Sequence, residues 1–570
     1  PLFFLSGLEG RMLRPLGIAY VVSIFASLLV AITVTPALSS YLLRNISLQS
    51  RQEPRMIRNL KSVYRPGLEW ALKNQRLIIL SAIVMVLAAI ITIPFLGRSF
   101  LPEFNEGTLT ISMATVPGTS LEESDKIGHM AETILLEHPA VTSTTRRSGR
   151  TELDEHSLGS HAHELEVQTD LSNISKKDLL DELRNNLSII PGTIFTIGQP
   201  ISHRIDHMLS GTRANIAVKI FGLDLDKLRL LAEKVEAQMK DIEGIADLSK
   251  EQQTRIPQVQ LKIDRDHLSL FGLTVADVDK MIDIAFLGES VTQIYEGQNR
   301  HDLVIRYAPE FRKDLEAVRN ALLDTPNGEQ ITLDMVTDIR VVDGPNYISR
   351  ENVQRKIVVQ ANVTGRDLLS VINEIKNLIG ENIDLPNDYY IEYGGQFESA
   401  VEATRTITLL SILSVLAIFI TLFMEFKNFR QSLLIMINLP LALIGGVIAI
   451  FFSEGIITIA SIVGLITLFG IAVRNGIIMI SHYNYKIEVE GKSIQQAVVD
   501  GSLERLNPIM MTALTTGLAL LPLALAMDQP GSEIQAPMSI VILGGLFSAT
   551  FLNIFIIPVL FEKWGVKNNK

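Results

Sequence analysis

The chain has 570 residues, a net charge of −11, 47% hydrophobic residues and no cysteine. An acidic balance of this kind offers no electrostatic footprint for nucleic acid, and the lack of cysteine removes disulfides and thiolate metal sites and suits an oxidising compartment. The apolar residues gather in two blocks, 1–96 and 407–559, while the negative charge comes mainly from the segment between them.

In chain order, Pro1–Leu8 reads as the tail of an earlier helix. The sequence begins at Pro1 inside hydrophobic residues, without Met or a signal peptide, and is read as part of a longer protein. Windows long enough to cross a bilayer, free of acidic residues, fall at roughly 15–43, 77–97, 405–424, 432–452, 456–482, 508–527 and 537–560. The connection 44–76 carries Arg44, Arg51, Arg55, Arg58, Lys61, Arg65, Lys73 and Arg76 against Glu53 and Glu69, which places it in the cytoplasm. Threading onward puts 98–404 outside the cytoplasm and the tail 563–570 inside, and every loop then agrees with the charge rule.

The insert 98–404 alternates strands and amphipathic helices. "TLTISMATV" predicts a strand, and "SLEESDKIGHMAETILLEH" a helix capped by Ser120 with Glu123 three residues on. "HELEVQTDL" and "SKKDLLDELRNNL" continue the pattern. It recurs in "ANIAVKIFG", "DKLRLLAEKVEAQMKDIEG", "PQVQLKID" and in "RKIVVQANV", "DLLSVINEIKNLIG", "YYIEYGG". Such units predict α+β sandwiches, with a less regular lobe at about 261–345.

Histidines are the metal candidates. His161 and His163 share one face of "SHAHELEV" by strand periodicity. His203 and His207, four apart in "SHRIDHM", have the helical spacing that lets two imidazoles reach one ion. His156 lies in "DEHS" beside Asp154 and Glu155, while Glu103, Asn105 and Glu106 in "PEFNEG" are expected to organise the domain entrance. Imidazole and carboxylate suit Zn²⁺, Co²⁺ or Ni²⁺, and thioethers suit Cu⁺ and Ag⁺. "EGKS" lacks the glycine of a phosphate loop, Lys486 standing in its place, and no cofactor or hydrolase constellation is indicated.

Arg474 lies inside an apolar run, "LFGIAVRNGIIMISHY", and none of the seven spans holds a buried Asp or Glu to balance it. A charge at that depth costs at least ~3 kcal/mol on insertion scales and calls for a partner.

Several motifs carry a resemblance: "LPEFNEGTLTISMATVPGTSLEES", "GRTELDEH", "QPISHRIDHMLSGTRANIAVKIFG", "GQFE" before a helix, "GIAVRNGIIMI", "ERLNPIMMTALTTGLALLPLA" and "PGSEIQAP". Over essentially its whole length the chain resembles the C-terminal half of resistance-nodulation-division (RND) exporters, in particular the heavy-metal efflux branch. The resemblance implies an α-helical transmembrane bundle with a large periplasmic α+β insert made of ferredoxin-like porter subdomains and a docking lobe. It implies the end of the fifth and all of the sixth to twelfth membrane helices. It further implies a proton-driven homotrimer in the Gram-negative inner membrane, working with a periplasmic adaptor and an outer-membrane channel. Arg474 matches the basic residue of the family's proton relay, with Asn475 and Thr512 nearby by the same motifs and the acidic carrier on a helix outside this chain. The methionine cluster of copper and silver exporters falls at Ser112, Ala162 and His207, so the triad is not reproduced, though Met113 and Met208 are immediate neighbours. Two other readings stand beside metal export. One is a multidrug exporter of organic substrates, whose pocket is expected to be rich in Phe, whereas this insert has few Phe and carries histidines instead. The other is a membrane-anchored periplasmic binding module that does not pump.

Overall fold

The computed structural model describes residues 2–4, 7–42, 54–99, 104–149, 159–312, 314–453, 455–527 and 529–565. His156, Asp154, Glu155 and Glu103 lie outside the described residues.

Among the described residues seven helices are long and apolar enough to cross a membrane: Leu13–Leu42, Gln75–Phe95, Gln396–Phe426, Phe429–Phe452, Ile459–Glu488, Ile494–Leu525 and Gln535–Gly565. They agree with the seven predicted windows. Phe429–Phe452, Ile459–Glu488 and Gln535–Gly565 are the most buried and form the centre of the bundle. Small residues let them approach closely. A Cβ added at Gly445 would lie 2.0 Å from the Gly544 carbonyl oxygen, and one at Gly545 would lie 1.9 Å from Leu468 Cδ2. Where the backbones meet, Ser548 Oγ accepts the Gly445 amide at 3.1 Å and donates to the Leu441 carbonyl at 3.1 Å. These contacts fix the register: Asn438–Phe452 runs antiparallel to Gln535–Leu560, and Ile459–Glu488 runs parallel to it. At the end far from the insert, the amphipathic helix Arg55–Lys73 buries Tyr64, Leu68, Ala71 and Leu72 against the bundle, and the Tyr64 hydroxyl donates to the Ile554 carbonyl at 2.6 Å.

The insert contains two sheets of like design. In the first, strands Thr108–Ala114, Val141–Ser148, Ala162–Thr169 and Ile194–Gly198 are all antiparallel to their neighbours. Numbered along the chain, their spatial order is 4-1-3-2, the split βαβ pattern. Helices Leu121–Leu136 and Lys176–Leu187 cover one face, where Ile111, Met113, Leu165 and Val167 pack against Ala131, Leu135, Leu179 and Leu183. Ser120 caps the first helix by accepting the Glu123 amide at 3.3 Å, as expected. The second sheet repeats the order with Ile216–Phe221, Ile245–Lys250, Gln354–Val363 and Tyr390–Gly395. Asp247 joins the two units, accepting from the Ile197 amide (3.4 Å), Asn362 Nδ2 (2.8 Å) and Arg184 Nε (2.9 Å).

One predicted strand moves. "PQVQLKID" does not complete the second βαβ unit; that place is taken by Ile245–Lys250, a short polar strand whose composition gave little signal. The run "PQVQLKI" instead lies in Arg255–Ile263, which pairs antiparallel with Thr337–Pro345 to form the neck of the irregular lobe. The lobe therefore starts at Arg255 rather than near 261, and it is inserted between the second and third strands of the second unit. Its hairpin, Glu289–Glu296 and Asn299–Ile305, is exposed at every residue.

Candidate functional site

The helix Pro200–Ser210 crosses the face of the first sheet that the two helices leave open. Strand alternation decides which residues it meets. On Thr108–Ala114, Met113 points into the apolar core and is 1% exposed, whereas Ser112 points to the open face. The Ser112 hydroxyl lies 3.3 Å from His203 Nε2 and accepts from Arg213 Nη1 at 2.8 Å. His203 is 7% exposed. Burial, the Arg213 guanidinium and His207 drive its pKa down to about 3, so the ring is neutral at ordinary pH. A neutral imidazole is the form that binds metal ions.

His207 follows one turn later on the same helix, half-buried, as the i,i+4 spacing predicts. Between them stands Asp206, 4% exposed. Its carboxylate accepts from Gln396 Nε2 at 2.8 Å and Asn215 Nδ2 at 3.3 Å, and burial pushes its pKa up to about 7. Glu106 holds the start of this helix, both carboxylate oxygens accepting the Ile201 amide at 2.9 Å. The Asn105 amide donates to Glu533 Oε1 at 3.2 Å. Asn105 and Glu106 of "PEFNEG" thus bond to Glu533 and to the first turn of the site helix.

The remaining candidates are not brought to this place. His163 is fully buried on the helix-covered face, opposite Met113 in the strand register. It bonds Ser124 Oγ at 2.7 Å and Ser148 Oγ at 2.8 Å with Arg146 beside it, and burial followed by the Arg146 charge lowers its pKa. It is a satisfied core histidine. His161 precedes the strand, half-buried, its carbonyl accepting the Thr115 amide at 2.8 Å and its pKa lowered by burial. Met208 is on the site helix but 63% exposed. Reaching Met113 from the open face would require a one-residue slip of the strand, which would turn its whole pattern over. Among the described residues no three His, Asp or Glu side chains converge as a metal cluster. Asp206, Arg213 and Ser112 complete the neighbourhood that the two histidines began; Asp206 could have been suspected from its place one turn after His203.

In the bundle, Arg474 is exposed and lines a groove of about 370 Å³ with Tyr20, Ser23, Ile24 and Ser27 of the helix Gly7–Ile32. Among the described residues no acidic side chain lines that groove. Asn475, 1% exposed, turns to the interior. Thr512 spends its hydroxyl on the Ile509 carbonyl at 2.9 Å in its own helix. Among the described residues no hydrogen bond joins these three side chains. Further along, His482 bonds Glu504 at 2.8 Å and Arg505 at 3.1 Å, and the buried Lys486 pairs with Glu504 at 2.9 Å; this network was not singled out from sequence.

Residues 1–564 match the AcrB/AcrD/AcrF family. The chain is 34% identical over 572 residues to protein HelA of Legionella pneumophila and 32% identical over 574 residues to the cobalt-zinc-cadmium resistance protein CzcA of Cupriavidus metallidurans. These alignments take in 98% and 99% of this chain but 54% of each relative. A crystal structure of a heavy metal efflux pump superposes with a TM-score of 0.85 at 29% identity, covering 99% of this chain and 56% of that one. The chain thus spans about half the length of the relatives it matches.

Proposed function

Since the chain belongs to the AcrB/AcrD/AcrF family, that of the RND permeases, we propose that it serves as the C-terminal half of a proton-driven exporter of heavy-metal cations in the bacterial inner membrane. The observation that carries this reading is the helix Pro200–Ser210, which sets a neutral His203 against Ser112 on the open face of the first sheet, with His207 one turn on along the same helix. His203 and His207 are the ligands we assign to a divalent ion such as Zn²⁺ or Co²⁺. The metal is cargo, so its site needs exchange rather than permanence, and a third donor is free to come from outside this chain. Met208 is the nearest thioether for a monovalent ion; His161, His163 and Met113 are left out of the ligand set. No resident cofactor is required.

In this reading the insert is periplasmic, its two split βαβ units are ferredoxin-like porter subdomains, and the lobe from Arg255 to Pro345 docks the adaptor and outer-membrane channel of a tripartite assembly. Three copies form the working pump. Arg474, permanently charged, holds down the pKa of a carboxylate outside this chain, and protonation of that carboxylate breaks the pair and switches conformation. Asn475 and Thr512 are assigned supporting places at the same level.

The test is Zn²⁺ and Co²⁺ titration of the detergent-solubilised chain by calorimetry, beside His203→Ala, His207→Ala and His163→Ala. Loss of binding in the first two variants and retention in the third supports the assignment. Equal binding in all four defeats it, and binding of Cu⁺ or Ag⁺ alone shifts the site to Met208.

A further inference from the structure

The bundle buries polar side chains that its own residues leave unsatisfied. Asn438 and Asn553 are 0% exposed, with neither amide nitrogen nor amide oxygen hydrogen-bonded. Asn475, 1% exposed, has an unpartnered Oδ1, and Thr550, 6% exposed, an unpartnered Oγ1. A carboxamide taken out of water without partners costs roughly 1–3 kcal/mol by mutational measures, and more in hydrocarbon.

Helix register brings these groups together. Ala442, Leu468, Ala472, Leu546 and Ala549 form one apolar layer. One turn further from the insert, each helix reaches a polar residue: Asn438 four positions before Ala442, Asn475 and Gly476 just past Ala472, and Asn553 four positions after Ala549, with Thr550 one turn before Asn553 on the same helix. The antiparallel run of Asn438–Phe452 against the other two makes these steps point the same way. One contact fixes the junction directly. A Cβ at Gly476 would lie 2.2 Å from Asn438 Nδ2, so the Asn438 amide sits against the backbone beside Asn475. Apolar residues close the next level, with Ile435, Met479, Ile480 and Ile554 in one cluster.

We propose that Asn438, Asn475 and Asn553, with Thr550, form a buried water-binding node at which ordered water bridges three membrane-spanning helices. The chemistry selects water. Each carboxamide offers both a donor pair and an acceptor, as water requires, and no charged side chain among these four residues would balance an ion at that depth. Bridging by water joins the helices through bonds that can be remade when they slide. The node does not depend on the cargo, and Asn475 is the residue it shares with the proton switch proposed above.

Hydroxyl-radical footprinting by water radiolysis of the solubilised chain tests this, because radicals born from bound water mark the side chains beside it. Met479, 1% exposed and one turn from Asn475, is the reporter; Met239, 0% exposed in the apolar core of the second sheet, is the dry control. The node predicts that Met479 is oxidised several-fold faster than Met239. In Asn553→Leu and Asn438→Leu, this excess disappears. Oxidation of Met479 no faster than Met239 in the wild-type chain overturns the proposal, the amides then pairing with one another in a dry core. That comparison needs no variant, so it decides even if the substitutions fail to fold. An excess that survives in both folded variants overturns it equally.

Discussion

Gln396 Nε2 donates to Asp206 Oδ1 at 2.8 Å, tying the first turn of a membrane-spanning helix to the helix that carries His203 and His207. The same junction is closed by backbone, the Gln396 amide donating to the Asn215 carbonyl at 3.2 Å. Gly395 makes this possible. Its φ of +109° lies in the region that favours glycine, and a Cβ there would meet the Asn215 oxygen at 2.3 Å. A ligand that moves the site helix therefore pulls on the membrane helix through one carboxylate.

That carboxylate makes stability depend on pH. Asp206 titrates at about 7 in the fold and, by its ordinary value of 3.8, far lower when unfolded. Between those values the folded state holds more protons, so stability falls as pH rises from about 4 to 7 and is flat above. At about 1.36 kcal/mol per unit the gross effect is on the order of 4 kcal/mol. Asp206→Asn should remove most of this slope and raise the melting temperature above pH 7. Thermal unfolding of both proteins from pH 4 to 8 checks it; parallel curves contradict the account.

His203 should stay neutral where ordinary histidines charge. Its folded pKa of about 3 lies below the usual 6.5, so the fold loses stability through this group as pH falls from 6.5 toward 3. NMR of ¹³C-labelled histidine should contain a ring signal that does not titrate down to pH 4 and that vanishes in His203→Gln. Removing the neighbouring charge with Arg213→Met should move its midpoint upward. A midpoint near 6.5 in the wild-type protein would mean that Arg213 and burial do not govern this ring.

The glycines of the bundle give a paired prediction. Gly445→Ala drives a methyl group to 2.0 Å from the Gly544 oxygen, and backbone cannot step aside, so the helices must separate. A loss of about 2–4 kcal/mol is expected, in the range of severe overpacking. Gly470 lies on a neighbouring helix with nothing within 4 Å of an added Cβ. Gly470→Ala should be neutral or gain up to about 1 kcal/mol from helix propensity. Unfolding in mixed micelles measures both, and equal effects would argue against close helix packing as the cause.

Sequence reading reached the seven spans because 20-residue apolar runs have few alternative meanings, and the Ser120 cap because its partner is three residues away. The His203/His207 pair was legible for the same reason: helical spacing is local. The His161/His163 pair was not. Period-two alternation says which residues share a face of a strand, but the covering helices decide which face is core, and they cover the face of His163 and Met113. Asp206 and Gln396 meet across 190 residues, and Arg213 and Ser112 across 101; no local pattern encodes such contacts. The strand Ile245–Lys250 escaped because it is polar and pairs along only part of its neighbour.

Arg474 separates a relay from a structural tie. It faces a groove lined by Tyr20, Ser23, Ile24 and Ser27, with no carboxylate among the described residues that line it. If its role is to meet an acid outside this chain, then within this chain it is an uncompensated charge costing about 3 kcal/mol on insertion scales. Arg474→Leu should then leave the isolated chain equally or more stable, and it should accumulate in membranes at least as well. The same substitution should abolish proton-coupled metal efflux when the chain is assayed together with such an acid, while Arg474→Lys, which keeps a cation, should retain part of it. If instead Arg474 binds the helix Gly7–Ile32 through the polar side chains of the groove, Leu should lower the melting temperature of the isolated chain, and Lys should lower it less. Measuring that temperature for the three proteins decides between the two roles before any transport assay is made.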